Sequence, residues 1–550
     1  MRNLTKAAAV AAAVAILLAG CSSTPSSSSG SAKGGTLTIL TPATQINLDP
    51  AKSQNLATTT LSLIERRLTT WEVKPGQAAK VVPDLATNTG TQSDGGKTWT
   101  YTLKDGLKFQ DGTPITSQDI KYGVERSFSD QLTGGLGYHK TLLVGGADYK
   151  GPYTGGDLAS IATPDSKTIV FHLNASYGDW PWIVSMPAFT PVPKAKDNPT
   201  TYGNTPVASG PYQVKANQDG TALTLVRNKY WSSKTDSVRT AGPDSVVFKE
   251  SQNQSTTVQS LISDTGETKS GFGAQFLGAA ELAQVKNNPS AKARLATSQA
   301  GPISYLAMNT QRGALKQLSV RQSLEYSVDK KAFLIASGGA DAGIPATTMI
   351  TPGIAGRKQF NLYPAGADGD VAKAKELLAK STGVSNLNLT FLVQNDSSSL
   401  AQAQAIQQGI ERSGIKVTLK PEDQNSFYTD ASANAGDFDL VLFSWQPDFP
   451  SANSNIQPLF ASSQIGNGAY NVSHYSSPAV DALIDQATAE TDQSKAQDLW
   501  AQADKKIMED APVVPLSYAK QSFLRGSNVQ NFFIPSFPAY PDYMTVTLGK

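Results

Sequence analysis

Cysteine is almost missing, since Cys21 is the only one in 550 residues. An intramolecular disulfide is thereby excluded, and a thiol without a partner needs another explanation. Histidine is nearly as scarce. His139, His172 and His474 are far apart, and neither HExxH nor CxxC occurs. This argues against a zinc site of the usual nitrogen–sulfur type and leaves a carboxylate-only metal site open. After residue 19 no run is long and apolar enough to span a bilayer core of ~30 Å. Excess charge is absent too. The formal +2 includes Arg2 and Lys6, and no Lys/Arg run makes the basic stripe of a nucleic-acid binder. Lys373, Lys375, Lys505 and Lys506 read as solvated residues on helical faces. No GxSxG elbow appears, and the scattered histidines assemble no Ser/His/Asp grouping. What is present is an ordinary globular composition, 39% hydrophobic and 17% charged, at a length that suggests two or three lobes.

The N-terminus is distinctive. Arg2 and Lys6 precede an uncharged apolar run from Ala7 to Ala19, which closes on Leu18-Ala19-Gly20-Cys21. A cationic start, a short apolar stretch and small residues before the cut describe a signal peptide over 1–20. The last four residues resemble the bacterial lipobox. That resemblance implies cleavage before Cys21, acylation of its thiol and new amine, and attachment to the outer face of a membrane. An uncleaved helical anchor, or a plain signal peptide with a stray thiol, is the alternative. Residues 21–35 are rich in Ser and Gly, bury no apolar surface and read as a flexible tether.

Strand and helix periodicities interleave from there on, which predicts an α/β fold. Thr36 to Leu40, Lys97 to Leu103 (with Trp99 and Tyr101 on one face) and Thr168 to Leu173 alternate as strands. Residues 210–214 and 222–227 read as a hairpin, and Val246 to Phe248 and Tyr305 to Met308 as short buried strands. Thr58 to Leu68, Val320 to Ile335, Val371 to Leu378, Val480 to Ala489 and Lys495 to Glu509 carry helical spacing. Thr116 or Ser117 caps a helix that runs to about Phe128. Leu389 to Val393, the helix Ser399 to Ser413 and Lys416 to Leu419 form a β-α-β unit, which favours a parallel pair with a right-handed crossover. Phe438 to Phe443 and Pro512 to Leu516 are further strands.

The stretch from Lys97 to Ile120 contains Trp99, Leu103, Gly106, Phe109, Asp111-Gly112-Thr113-Pro114, Thr116 and Asp119. It resembles the signature of family 5 extracellular solute-binding proteins, the peptide- and nickel-type receptors of ABC importers. Further landmarks follow in the family's order. They are Leu48-Asp49-Pro50, Ala208-Ser209-Gly210-Pro211-Tyr212, Arg227-Asn228-Lys229-Tyr230-Trp231 and Tyr475-Ser476-Ser477-Pro478. The resemblance covers about 36–550. It implies a type II periplasmic-binding-protein-like clamp of three lobes, with a hinge between lobes I and III. Lobe I would comprise 36–57, 190–304 and 516–550, lobe II 58–189, and lobe III 305–515. The hinge crossovers would lie near Gly301-Pro302 and near Pro515. The DGTP turn is expected to be structural.

Leu442 to Pro450 resembles the family segment that follows a lobe III strand. On that basis Asp448 would bind the α-ammonium group of a peptide, and Trp445 would lie close to the ligand. The plainer readings are a helix-capping Asp before Ser451 to Phe460 and a Trp that packs a lobe. Some oligopeptide binders carry an Arg on the strand before this Trp, but Leu440 to Phe443 has none, so the site for the ligand's carboxyl end stays open. The expected function is capture of short peptides for delivery to ABC permease subunits, without catalysis, by a monomer that needs no cofactor and binds no nucleic acid. An oligosaccharide, an opine or a metal chelate is the alternative cargo, with Trp180, Trp182 and Trp445 as candidate sugar platforms. A lipid-anchored hydrolase is the alternative of another class; Asp437 and Asp439 are a carboxylate pair, but in a pattern that is commonly solvated.

Overall fold

The computed structural model describes residues 34–53, 56–384 and 387–549. The signal peptide, Cys21 and most of the tether lie outside them. Gly34 N–H donates to Gly242 O at 3.1 Å, so the chain is held from its first described residue.

Three sheets carry the fold. The first has five strands in the order Gly271–Gly273, Thr36–Leu40, Ser245–Lys249, Ala222–Arg227, Tyr212–Gln218. Thr36–Leu40 runs parallel to both neighbours, and the expected hairpin pairs antiparallel at the other edge. The second sheet is antiparallel, with the order Thr91–Ser93, Thr98–Thr102, Thr168–His172, Ile161–Ala162. Alternation buries Trp99 and Tyr101 on the same face of it. The helix Ser117–Arg126 packs on this core. Thr116 is its cap, and Asp119 Oδ2 accepts from the Thr116 N–H at 2.8 Å and from its hydroxyl at 2.7 Å. The DGTP turn closes on itself, with Asp111 Oδ1 accepting from Thr113 N–H at 3.0 Å.

The third sheet has six strands in the order Gly343–Pro345, Val513–Ala519, Ile303–Met308, Leu440–Trp445, Asn388–Gln394, Lys416–Glu422. The last two pair in parallel across the helix Ser397–Glu411, as the β-α-β reading requires. Its strands are apolar on both faces because both are covered. Ile303, Tyr305, Ala307, Val441 and Phe443 feed one core, while Leu306, Met308, Leu440, Phe391 and Val393 feed another.

Two expectations change. The helix over Val320 to Ile335 is two helices, Leu318–Ser327 and Lys330–Ala336. Val328 turns extended, and the Asp329 side chain accepts from Ala332 N–H at 2.8 Å, which starts a new helix. The second concerns the neighbourhood of Pro515, where a crossover is expected. That residue lies within the strand Val513–Ala519, opposite a bulge between Ser304 and Tyr305 that accommodates its missing N–H. The chain leaves the sheet at Lys520-Gln521, and Ser522–Leu524 then pairs with Leu295–Thr297.

Candidate ligand site

A cavity of about 230 Å³ lies where distant stretches of the chain converge. The strand Thr69–Glu72 supplies Thr70 and Trp71, the segment after the buried helix Trp180–Ile183 supplies Ser185 to Pro187, and the C-terminal run Pro535 to Met544 closes another side. Gln446 to Asp448 enter directly from the end of the strand Leu440–Trp445. Trp71 and Phe537 pack at 5.3 Å between ring centroids, and Trp71 Nε1 donates to Ser185 Oγ at 2.6 Å. Gln446 Nε2 donates to Pro538 O at 2.5 Å. Prolines at 187, 447, 535, 538 and 541 stiffen this wall, since each fixes its own φ.

Asp448 is a partly buried carboxylate on the wall. Tyr138, on the short helix Tyr138–Leu142, donates to its Oδ2 at 2.6 Å. Burial pushes the Asp448 carboxyl above its ordinary range, and the Tyr138 bond pulls against that. No cation stands within ion-pair distance of it among the described residues. Its carboxylate does not cap the following helix, whose cap is Ala452; instead the Asp448 N–H donates to Ser454 Oγ at 2.8 Å. Trp445 is placed differently. Its Nε1 donates to Ser454 O at 2.8 Å, its ring packs on Tyr470 at 5.1 Å, and it is not part of the cavity wall. Trp180 and Trp182 are buried in the core under the second sheet, which leaves neither as a sugar platform.

Further contacts join the second and third sheet regions. Ser451 Oγ bonds Asp179 Oδ2 at 2.7 Å, Asn453 Nδ2 donates to Tyr177 OH at 3.1 Å, and Gly178 N–H donates to Thr488 O at 2.8 Å.

Behind the wall lies a charge network that sequence reading did not anticipate. Asp84 accepts from Arg66 Nε at 2.7 Å and pairs with Arg239 NH2 at 3.0 Å, while Asp236 lies 3.1 Å from Arg239 NH1 and 3.6 Å from Arg66 Nε. Arg67, next in sequence and 4% exposed, reaches the cavity. The adjacent pair Arg66-Arg67 between apolar Ile64 and Leu68 was the available signal. Ser127 Oγ and His139 Nε2 lie 2.7 Å apart, but both residues are buried, and burial lowers the His139 pKa to about 3. This pair offers no exposed nucleophile.

Separately cored sheets that converge on one walled cavity, in an α/β fold, define a solute-binding clamp. The family model for bacterial extracellular solute-binding proteins, family 5 Middle, matches residues 80–467, and the chain belongs to that family. The glutathione-binding protein GsiB of Salmonella typhi is 26% identical over 469 residues, covering 81% of this chain and 82% of GsiB. The oligopeptide-binding protein OppA of Bacillus subtilis (strain 168) is 24% identical over 471 residues, with 82% of each chain covered. Among solved structures, clavulanic acid biosynthesis oligopeptide binding protein 2 is 29% identical with a TM-score of 0.86, over 94% of this chain and 96% of that one. The unliganded open form of the murein tripeptide binding protein MppA shares the fold at 21% identity and a TM-score of 0.77, over 94% and 98% of the two chains. The chain is thus an extracellular solute-binding protein of the type II-like, multi-lobed kind and not an enzyme. Among the described residues no helix is long and apolar enough to cross a membrane.

Proposed function

We propose that this protein captures short peptides outside the cell and passes them to an ABC importer permease, while a lipid on Cys21 keeps it at the membrane. The observation that carries the reading is Asp448. A partly buried carboxylate on the cavity wall, with no cation beside it among the described residues, is costly when ionised and alone. A ligand ammonium supplies the missing partner through a short, charge-assisted bond. Two relatives named for glutathione and oligopeptide binding support a peptide cargo. The two segments 298–302 and 520–521, which join the third sheet to the strand pair Leu295–Thr297 and Ser522–Leu524, are the natural hinge for a clamp that closes on ligand.

Calorimetry of the full chain with a mixture of di- and tripeptides, and with the same peptides N-acetylated, tests the cargo. Free amino termini should bind at least tenfold tighter; equal affinity removes Asp448 from the site. Labelling of growing cells with a fatty-acid analogue tests the anchor. Label should be incorporated, Cys21→Ser should abolish it and release the protein to the medium, and an unlabelled wild type would end the lipid assignment.

A further inference from the structure

The carboxyl end of the ligand has no obvious partner on the strand Leu440–Trp445, which carries no cation. The cavity wall offers one elsewhere in the chain. Arg67 is 4% exposed and belongs to the cavity wall. Its Nε and NH2 have no hydrogen-bond partner among the described residues, and its NH1 reaches Ser62 Oγ only at 3.5 Å, the outer limit of a hydrogen bond. A guanidinium carries five N–H donors and cannot shed its charge at neutral pH, so burying it this poorly satisfied is expensive.

The pairing around it shows why it is left over. Arg66 and Arg239 take the carboxylates of Asp84 and Asp236, and the Lys104 ammonium adds a further cation there by donating to Asp84 O at 2.6 Å. Arg66 and Arg239 each engage both carboxylates, and Asp84 also accepts the Arg67 backbone N–H at 3.1 Å. The Arg67 guanidinium is the member without an anion within 4 Å among the described residues. Two other acids lie close by, and neither is available. Asp542, also on the wall, is bound into its own turn by Thr545 Oγ1 at 2.5 Å and Met544 N–H at 3.2 Å. Glu65 accepts from Thr190 Oγ1 at 3.3 Å and is not within ion-pair distance of Arg67; burial raises its pKa to about 8 against the pull of the Arg67 charge.

We propose that Arg67 anchors the carboxylate of the ligand, so that one cavity holds a short zwitterion with its ammonium on Asp448 and its carboxylate on Arg67. This rests on the peptide reading and deepens it. A guanidinium fork matches a carboxylate in a bidentate pair and gives orientation as well as attraction. Two charged anchors of opposite sign in one cavity would select for a ligand with both termini free.

The test uses the purified full chain and three peptide pools: di- and tripeptides with both termini free, the same peptides C-amidated, and the same peptides N-acetylated. Retained peptides are quantified by mass spectrometry for the wild type, Arg67→Lys and Arg67→Gln, with thermal unfolding as the check that each variant is folded. The wild type should retain free-carboxyl peptides about 100-fold better than amides, because a polar site built for a group rejects its absence strongly. Arg67→Gln should bring that ratio close to one while preserving discrimination against the N-acetylated pool. Arg67→Lys should keep part of the carboxyl preference. Equal retention of free and amidated peptides by the wild type overturns the Arg67 assignment and leaves the peptide reading standing. An unchanged ratio in a folded Arg67→Gln also overturns it. Retention of none of the pools overturns the peptide reading itself. If Arg67→Gln does not fold, the wild-type ratio and Arg67→Lys still decide.

Discussion

Tyr138 and Asp448, 310 residues apart in the chain, are joined by a hydrogen bond of 2.6 Å between the phenol and carboxylate Oδ2. The bond crosses from the region of the second sheet to that of the third, at the cavity wall. It gives Asp448 one donor and leaves its charge without a cation.

Tyr138→Phe removes that donor. A hydrogen bond to a charged group contributes about 1.5–3 kcal/mol, so the Asp448 carboxyl, already raised by burial, should rise further. Binding of an ammonium needs the ionised form. Peptide affinity should therefore weaken as pH falls, and its midpoint should lie at higher pH in the variant than in the wild type. Titration calorimetry between pH 4 and 8 measures this; coincident midpoints would mean that the bond does not tune the carboxylate.

Asp84 holds two buried arginines, and all three residues are nearly inaccessible to solvent. Asp84→Asn leaves Arg66 and Arg239 with only Asp236 between them. Breaking a buried ion network from one side costs about 3–5 kcal/mol. Denaturant unfolding should show a loss of that size, and a change below 1 kcal/mol would show that water or rearrangement compensates.

Gly178 sits where the second and third sheet regions touch. A Cβ placed there would lie 1.8 Å from Glu490 O, a backbone atom that cannot swing away. Gly178→Ala should wedge the two regions apart and disrupt the bonds from Tyr177 and Asp179 to Asn453 and Ser451. Faster amide exchange across Asn453–Phe460 with little change elsewhere is the expected signature, together with weaker peptide binding. Unchanged exchange would show that the contact yields locally.

Glu65 links folding to pH. Its pKa is pushed up from 4.5 to about 8 in the folded chain by burial, so in that window the native state binds more protons than the unfolded one. Stability then falls as pH rises, by up to ~1.4 kcal/mol per pH unit for one proton. Below pH 6.5 buried His139, lowered to about 3, contributes a slope of the opposite sign, so the Glu65 effect is clearest from pH 6.5 to 8. Across that window the wild type should lose stability relative to Glu65→Gln as pH rises, most steeply near pH 6.5 and levelling off above pH 8. Parallel curves would place Glu65 as a normal carboxylate.

Much of the framework was readable in one dimension because its causes are local. Alternation fixes the buried face of Thr98–Thr102, a capping acid starts Ser117–Arg126, and spacing marks the β-α-β unit. The site was readable in part. Asp448 follows a recognisable strand end, yet its partner Tyr138 lies in a distant helix, and no local pattern connects them. Trp445 ends the same strand, and its indole bonds to Ser454 nine residues later, a partner that no local pattern announces. The helical period over Val320 to Ile335 ran straight through a break, because apolar spacing continues across Val328 while Asp329 caps a new helix.

The sequence by itself determined the export signal pattern, the α/β alternation, the family signature from Trp99 to Asp119 and the absence of any disulfide. These follow from residue type and short-range spacing. The tertiary structure alone decided which charges meet. It gave both Asp84 and Asp236 to Arg66 and Arg239, and it set Arg67 on the cavity wall opposite a chain segment from the far C-terminus. Whether a buried arginine is matched or left over depends on carboxylates as far away as Asp236, 170 positions after Arg66, and only packing brings them within reach.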